Sequence, residues 1–299
     1  MKIFGYRGYS GKYPENTLLA FQKAIEAGAE GIQLDVHFSR DHKVVIIHDE
    51  ALSRTLDAVG FVRHHVLEEL KTYEVKGHYE GPRQYIITLQ EYFDWIGDLP
   101  VFTCITLRND RTYYPGLEEE LAKIVLDNEM QDRVIISSKR SNSVSFINER
   151  WPNLSLAWSV DNITDQAIDK LVEMNCKAVI TKASSLNESI VETLHEKEIS
   201  VIASNVNTEQ DAEEMKELDI DGIFTMFIEK IMKILGVDKA VYSKEQIKEV
   251  SKIQQVEDGE KNEIQQRIKK KTQFLQGGML GILLSMVISI AGAVIVTNL

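Results

Sequence analysis

Short apolar runs alternate with longer amphipathic stretches from Lys2 to about Leu235, the pattern of strands joined by helical crossovers in a parallel sheet. The runs predict strands at Ile3–Tyr6, Gly31–His37, Val101–Thr106, Arg133–Ser137, Ser155–Ser159, Ala178–Thr181, Ser200–Ala203 and Gly222–Thr225. Eight such units over this length point to an α/β fold closed as a (β/α)8 barrel, because closure leaves no unpaired edge. One further run, Lys43–His48, follows its predecessor after only Arg40-Asp41-His42, and so short a link makes a hairpin. A turn centred on Arg40 and Asp41 pairs Gln33 with His48 and Asp35 with Ile46, which sets His48 beside two polar residues of the second strand. The first helix is announced by Pro14-Glu15-Asn16-Thr17, continues with Leu18, Phe21, Ala24 and Ile25 on one face, and stops at Gly28. Its N-terminus falls near the end of the first strand, where free N–H groups and the helix dipole favour an anion such as phosphate.

The pattern changes after Val237. Residues 238–271 form a charged, Gln-rich linker. Within it Ile247, Val250, Ile253 and Val256 recur every three residues before a Gly259 interruption, which predicts a solvated, partly helical stalk drifting off any heptad seam. From Thr272 to Leu299 there is no charged residue, and about 20 apolar residues suffice to span a bilayer, so 272–299 is expected to be a single transmembrane helix. Arg267, Lys269, Lys270 and Lys271 precede it and should stay on the cytoplasmic side, leaving the 1–237 barrel in the cytoplasm. Met1-Lys2-Ile3-Phe4-Gly5 runs straight into turn residues, so no secretory signal is expected. Gly277, Gly281, Ser285, Ser289, Ala293 and Thr297 recur every four residues, a small-residue stripe that predicts self-association or pairing with another membrane helix.

Charge narrows the function. A net charge of −12 over 299 residues excludes a broad nucleic-acid footprint, so any phosphate site must be local. Cys104 and Cys176 have no metal-ligand spacing and read as buried thiols in a reducing compartment.

From Phe4 to about Ile228 the chain resembles the glycerophosphodiester phosphodiesterase family and, more distantly, the phosphoinositide phospholipase C barrels. The resemblance rests on Tyr6-Arg7-Gly8, Pro14-Glu15-Asn16-Thr17-Leu18 and Ala27-Gly28-Ala29-Glu30-Gly31-Ile32-Gln33-Leu34-Asp35-Val36. It continues through Ser39-Arg40-Asp41, Val45-Ile46-Ile47-His48-Asp49 and Leu52-Ser53-Arg54-Thr55. It implies a TIM barrel acting as a phosphoric diester hydrolase, with Arg7, Glu15 and Asn16 at the phosphate and His48 as acid or base. It also implies a second catalytic histidine, and here that position is Tyr6, a poor proton acceptor near neutrality. The family's Mg²⁺ or Ca²⁺ is implied to sit on a Glu-x-Asp pair and a later Glu. Gln33 stands for the first Glu, Asp35 is retained, and the later Glu aligns with Cys104, with Thr106 where a Lys is usual.

Two readings are therefore open. The losses at Tyr6, Gln33 and Cys104 favour a membrane-tethered pseudoenzyme, a binding or assembly module whose ligand is a phosphorylated small molecule or a lipid head group, with no cofactor. Arg7, Glu15, Asn16, Asp35 and His48 support the alternative, an active phosphodiesterase on glycerophosphodiesters or lipid head groups that uses Mg²⁺ or Ca²⁺. His37 shares the face of Gln33 and Asp35 and is assigned to the hairpin tip.

Overall fold

In the computed structural model, which describes residues 1–77 and 79–238, each of the eight predicted barrel strands is present with ends within one residue of expectation, while the hairpin strand stops two residues short of His48. They are β1 (Lys2–Tyr6), β2 (Gly31–Phe38), β3 (Val44–Ile46), β4 (Phe102–Leu107), β5 (Val134–Ser138), β6 (Ser155–Ser159), β7 (Ala178–Lys182), β8 (Ser200–Ser204) and β9 (Gly222–Thr225). β1 pairs in parallel with both β9 and β2, so eight parallel strands close on themselves. β3 is the hairpin strand, antiparallel to β2. β2 takes β1 along Gly31–Gln33 and β3 along Val36–Phe38, so two different neighbours flank its two halves.

Helix α1 (Leu18–Ala27) illustrates how the local signals act. The Thr17 side chain accepts the Ala20 N–H at its start, and Gly28 closes it in the left-handed conformation at φ 99°. Leu18, Phe21 and Ile25 are buried against the barrel, at roughly 1.5–3 kcal/mol per large apolar side chain. The barrel interior is filled by Phe4, Cys104, Ala157, Ala178, Ile180, Ile202 and Phe224. A second small core of Val45, Ile47, Leu52, Leu56, Val62, Leu70, Val75 and Ile86 holds the long excursion after β3.

The hairpin register corrects the expected one by a residue. Val36, not Asp35, lies opposite Ile46, and His37 lies opposite Val45. The Ser39 N–H donates to the Lys43 carbonyl at 3.0 Å and His42 is left-handed at φ 56°, so Arg40-Asp41-His42 is a three-residue loop whose centre is Asp41. Because β3 ends at Ile46, Gln33 pairs with Tyr6 and Cys104 instead of His48. The stalk beyond Asp238, the expected transmembrane helix at 272–299 and its small-residue stripe lie outside the described residues. Among the described residues, no helix is long and apolar enough to cross a membrane.

Candidate functional site

The site is assembled at the C-terminal ends of the barrel strands, beginning where β1 turns back towards α1. Gly8 (φ 79°) is required there, because a Cβ would lie 2.6 Å from the Ala20 backbone. Arg7 is also left-handed, at φ 56°, a conformation that costs a non-glycine residue about 1–3 kcal/mol and must be held from outside. Its N–H donates to Gln33 Oε1 at 3.1 Å and its carbonyl accepts the Asn16 N–H at 3.0 Å. Its guanidinium donates to Glu15 Oε1 at 3.0 Å and to the Tyr6 hydroxyl at 2.7 Å. Its Nε lies 3.2 Å from Asp35 Oδ2, in ion-pair range but without hydrogen-bond alignment. Burial works against the Arg7 charge, yet Asp35, Tyr6 and Glu15 together hold its pKa above the ordinary value.

Glu15 carries the network outward. It accepts from Arg54 Nη1 and Nη2 at 2.8 Å each, and these bonds with the Arg7 charge overcome burial to hold its carboxyl below the usual range. Arg54 Nε donates in turn to Asp49, whose Oδ1 lies 2.5 Å from His48 Nδ1. Against burial, Arg54 and His48 bring Asp49 down to about 2. Burial first, with the charges of Arg7 and Arg108, keeps His48 below its usual pKa despite Asp35 and Asp49. A neutral His48 gives its Nδ1 proton to Asp49 and presents Nε2 as an acceptor, a tautomer assigned from this network. Tyr6, raised by burial, stays protonated; its oxygen accepts from Arg7, and its hydroxyl proton is left to donate.

His37 is not at the hairpin tip. It lies within β2, buried, with Nδ1 3.0 Å from the Tyr114 hydroxyl and Nε2 3.0 Å from the His48 carbonyl. Burial lowers it to about 4, so it is a neutral strut under the segment that carries His48.

The floor between β2 and β4 decides what the site can hold. Gln33 faces Cys104 and Asp35 faces Thr106 in the sheet register. The Gln33 carbonyl oxygen is taken by Arg7, while its Nε2 donates to Thr106 Oγ1 at 3.1 Å, and Thr106 reaches Ser137 at 3.0 Å. Cys104 is fully buried, 3.8 Å from Ser137 Oγ, and burial pushes its thiol up to about 12. A soft thiol would suit neither implied cation. Asp35 is already bonded by Asn16 Nδ2 at 3.3 Å and ion-paired with Arg7. Mg²⁺ and Ca²⁺ need several anionic or carbonyl oxygens, and this donor set does not fit either. Among the described residues, no group of three or more His, Cys, Asp or Glu is gathered to hold a metal.

Tyr6, Gln33, Asp35, His48 and Thr106 line one side of a cavity of about 210 Å³. Arg7, Glu15 and Asn16, expected at the phosphate, are not part of that lining; they hold Tyr6 and Asp35 in place through the bonds above. The lining also includes Arg108, Lys139 and Lys182, which the sequence reading did not single out. The available signal was positional, since each lies at or just past the C-terminal end of a barrel strand, where (β/α)8 sites are built. Arg54, part of the Leu52-Ser53-Arg54-Thr55 motif, bridges Glu15 and Asp49.

Comparison with known proteins points to one family. A profile of the glycerophosphoryl diester phosphodiesterase family matches residues 7–230. A glycerophosphodiester phosphodiesterase of Bacillus altitudinis is 32% identical over 238 residues, covering 78% of this chain and 97% of its own. Among solved structures, an Oleispira antarctica phosphodiesterase in complex with the product sn-glycerol-3-phosphate has a TM-score of 0.70 at 24% identity, covering 79% of this chain and 97% of its own. The Thermotoga maritima glycerophosphodiester phosphodiesterase has a TM-score of 0.66 at 26% identity, covering 78% and 98%.

Proposed function

The chain belongs to the glycerophosphoryl diester phosphodiesterase family, and from that membership we propose that it is a membrane-tethered pseudoenzyme that binds a phosphorylated polyol without metal-dependent turnover. The observation that carries this reading is the β2–β4 floor, where Gln33, Thr106, Ser137 and Cys104 bond to one another and the remaining carboxylate, Asp35, is paired with Arg7. The ligand class follows the family and the product bound in the Oleispira relative. His48 retains a base-competent nitrogen and Tyr6 a hydrogen-bond donor. Without a second group that titrates near neutrality, however, the proton transfers of diester cleavage lack a matched acid and base.

Tethering rests on the uncharged stretch Thr272–Leu299 and the preceding basic residues, with assembly through its small-residue stripe. Changing Gly281 and Ser285 to Leu should shift the oligomer towards monomer in detergent; an unchanged size would remove the basis for assembly. Activity is tested by assaying the full chain in detergent micelles against glycerophosphoglycerol with Mg²⁺ or Ca²⁺. No metal-dependent release of glycerol phosphate is expected. Release that is abolished by His48→Ala and by Asp35→Asn would establish the active phosphodiesterase instead.

A further inference from the structure

The cavity carries positive charge that its ion pairs do not consume. Thr106 and Arg108 are two residues apart on the β4 path, so their side chains leave on the same side, and both line the cavity. The Arg108 N–H still donates to the Val36 carbonyl at 3.0 Å, extending the β2–β4 ladder and fixing where the side chain starts. That side chain is 18% exposed. Its Nε is buried with no hydrogen-bond partner among the described residues, and Nη2 lies 3.9 Å from Asp110 Oδ1, too far for a hydrogen bond. An underused, largely buried guanidinium is costly unless something else completes its bonding. Lys139 and Lys182 line the same cavity from β5 and β7, 3.5 and 3.3 Å from the two oxygens of Asp161, so one carboxylate serves two ammonium groups. Asp35, the other carboxylate in the lining, is matched by Arg7. In a chain of net charge −12 the cavity is thus locally positive.

We propose that Arg108, with Lys139 and Lys182, forms an anion site at the barrel mouth that holds the dianionic phosphomonoester of a small polyol in preference to a phosphodiester. The proposal rests on the reading that the β2–β4 floor holds no divalent ion; Arg108 then brings a fixed cation to the cavity, one step beyond Thr106 along the same strand face. Attraction scales with ligand charge, and a phosphomonoester carries about −1.5 to −2 near neutrality against −1 for a diester. The guanidinium fork matches two phosphate oxygens at once. At about 210 Å³ the cavity is smaller than the ~300–1,000 Å³ pockets of drug-sized ligands, which suits a polyol phosphate head and not acyl chains.

The test is calorimetric titration of the full chain in detergent micelles with EDTA throughout, using sn-glycerol 3-phosphate, glycerophosphoglycerol and inorganic phosphate. Glycerol 3-phosphate should bind at least about tenfold tighter than glycerophosphoglycerol. Arg108→Gln should weaken it about tenfold or more, the scale of a lost charge-assisted bond, while Lys182→Gln should weaken it less. Thr106→Lys added to Arg108→Gln should recover part of the loss, which separates a missing charge from a damaged fold. Competition by phosphatidic acid micelles that depends on Arg108 would assign the same phosphomonoester chemistry to a lipid source, and its absence to a soluble one. No binding to the wild-type chain, equal affinity for the diester, or unchanged affinity in Arg108→Gln would each overturn the proposal. Metal-dependent hydrolysis in the separate activity assay would overturn the pseudoenzyme reading without altering these EDTA titrations.

Discussion

The two walls that meet at Asp35 follow opposite electrostatic plans. On the side of β1 and the hairpin, Tyr6, Arg7, Glu15, Arg54, Asp49 and His48 form one chain of bonded, mostly charged groups. On the β2–β4–β5 floor, Gln33, Thr106, Ser137 and Cys104 are neutral and bond to each other. The difference teaches how one site can join a frame of paired charges to a floor of neutral groups. Removing one member of the charged chain strands its partner in a medium of low dielectric, whereas neutral groups that satisfy one another need no counter-ion.

The largest test of that contrast is Asp35→Ala. Asp35 and Arg7 are 2% and 12% exposed, so losing the carboxylate leaves the Arg7 charge with Glu15 as its remaining carboxylate, strands the Asn16 amide, and should cost about 3–4 kcal/mol in urea unfolding. A cost below about 1 kcal/mol would show that the charged wall does not depend on its pairs.

Acid should attack the same wall through His37. In the unfolded chain His37 takes a proton near its ordinary 6.5, but the native site refuses it until about 4. The unfolded state therefore binds more protons in that window, and stability falls as pH drops from about 6.5 towards 4, by on the order of 3 kcal/mol from this group. Replacing His37 with Phe should flatten that limb, as followed by urea midpoints across the range.

Restoring charge to the floor sharpens the contrast in the other direction. Tyr6→His, Gln33→Glu and Cys104→Glu together should create Ca²⁺ or Mg²⁺ binding, read as a metal-dependent gain of about 1.4 kcal/mol when free metal is tenfold above its Kd. The smallest effect is expected for Arg54→Ala. Its side chain is half exposed, so its pairs with Glu15 and Asp49 should contribute no more than about 1 kcal/mol.

The barrel was legible because its signals are local and repeated. Short apolar runs, a Thr cap and a Gly stop act over a few residues and need no knowledge of partners. The hairpin was legible in kind, but its register turned on the left-handed conformation of His42, which moved the turn centre by half a residue and undid the expected pairing of Gln33 with His48. His37 was misassigned to the turn because burial beside Tyr114 depends on a loop far along the chain.

For the site, residue identities alone mark Tyr6 as a poor proton acceptor near neutrality and Gln33 and Cys104 as uncharged or soft donors for a hard cation. The amino-acid order thus determined the fold class and the donor types available to the site, because both follow from side-chain type and short-range periodicity. Which groups neutralise Asp35, and that Arg108, Lys139 and Lys182 converge on one cavity, was decided only by the closed barrel. Coulomb interaction depends on distance in space, and closure brings together strand ends that are dozens of residues apart in the chain.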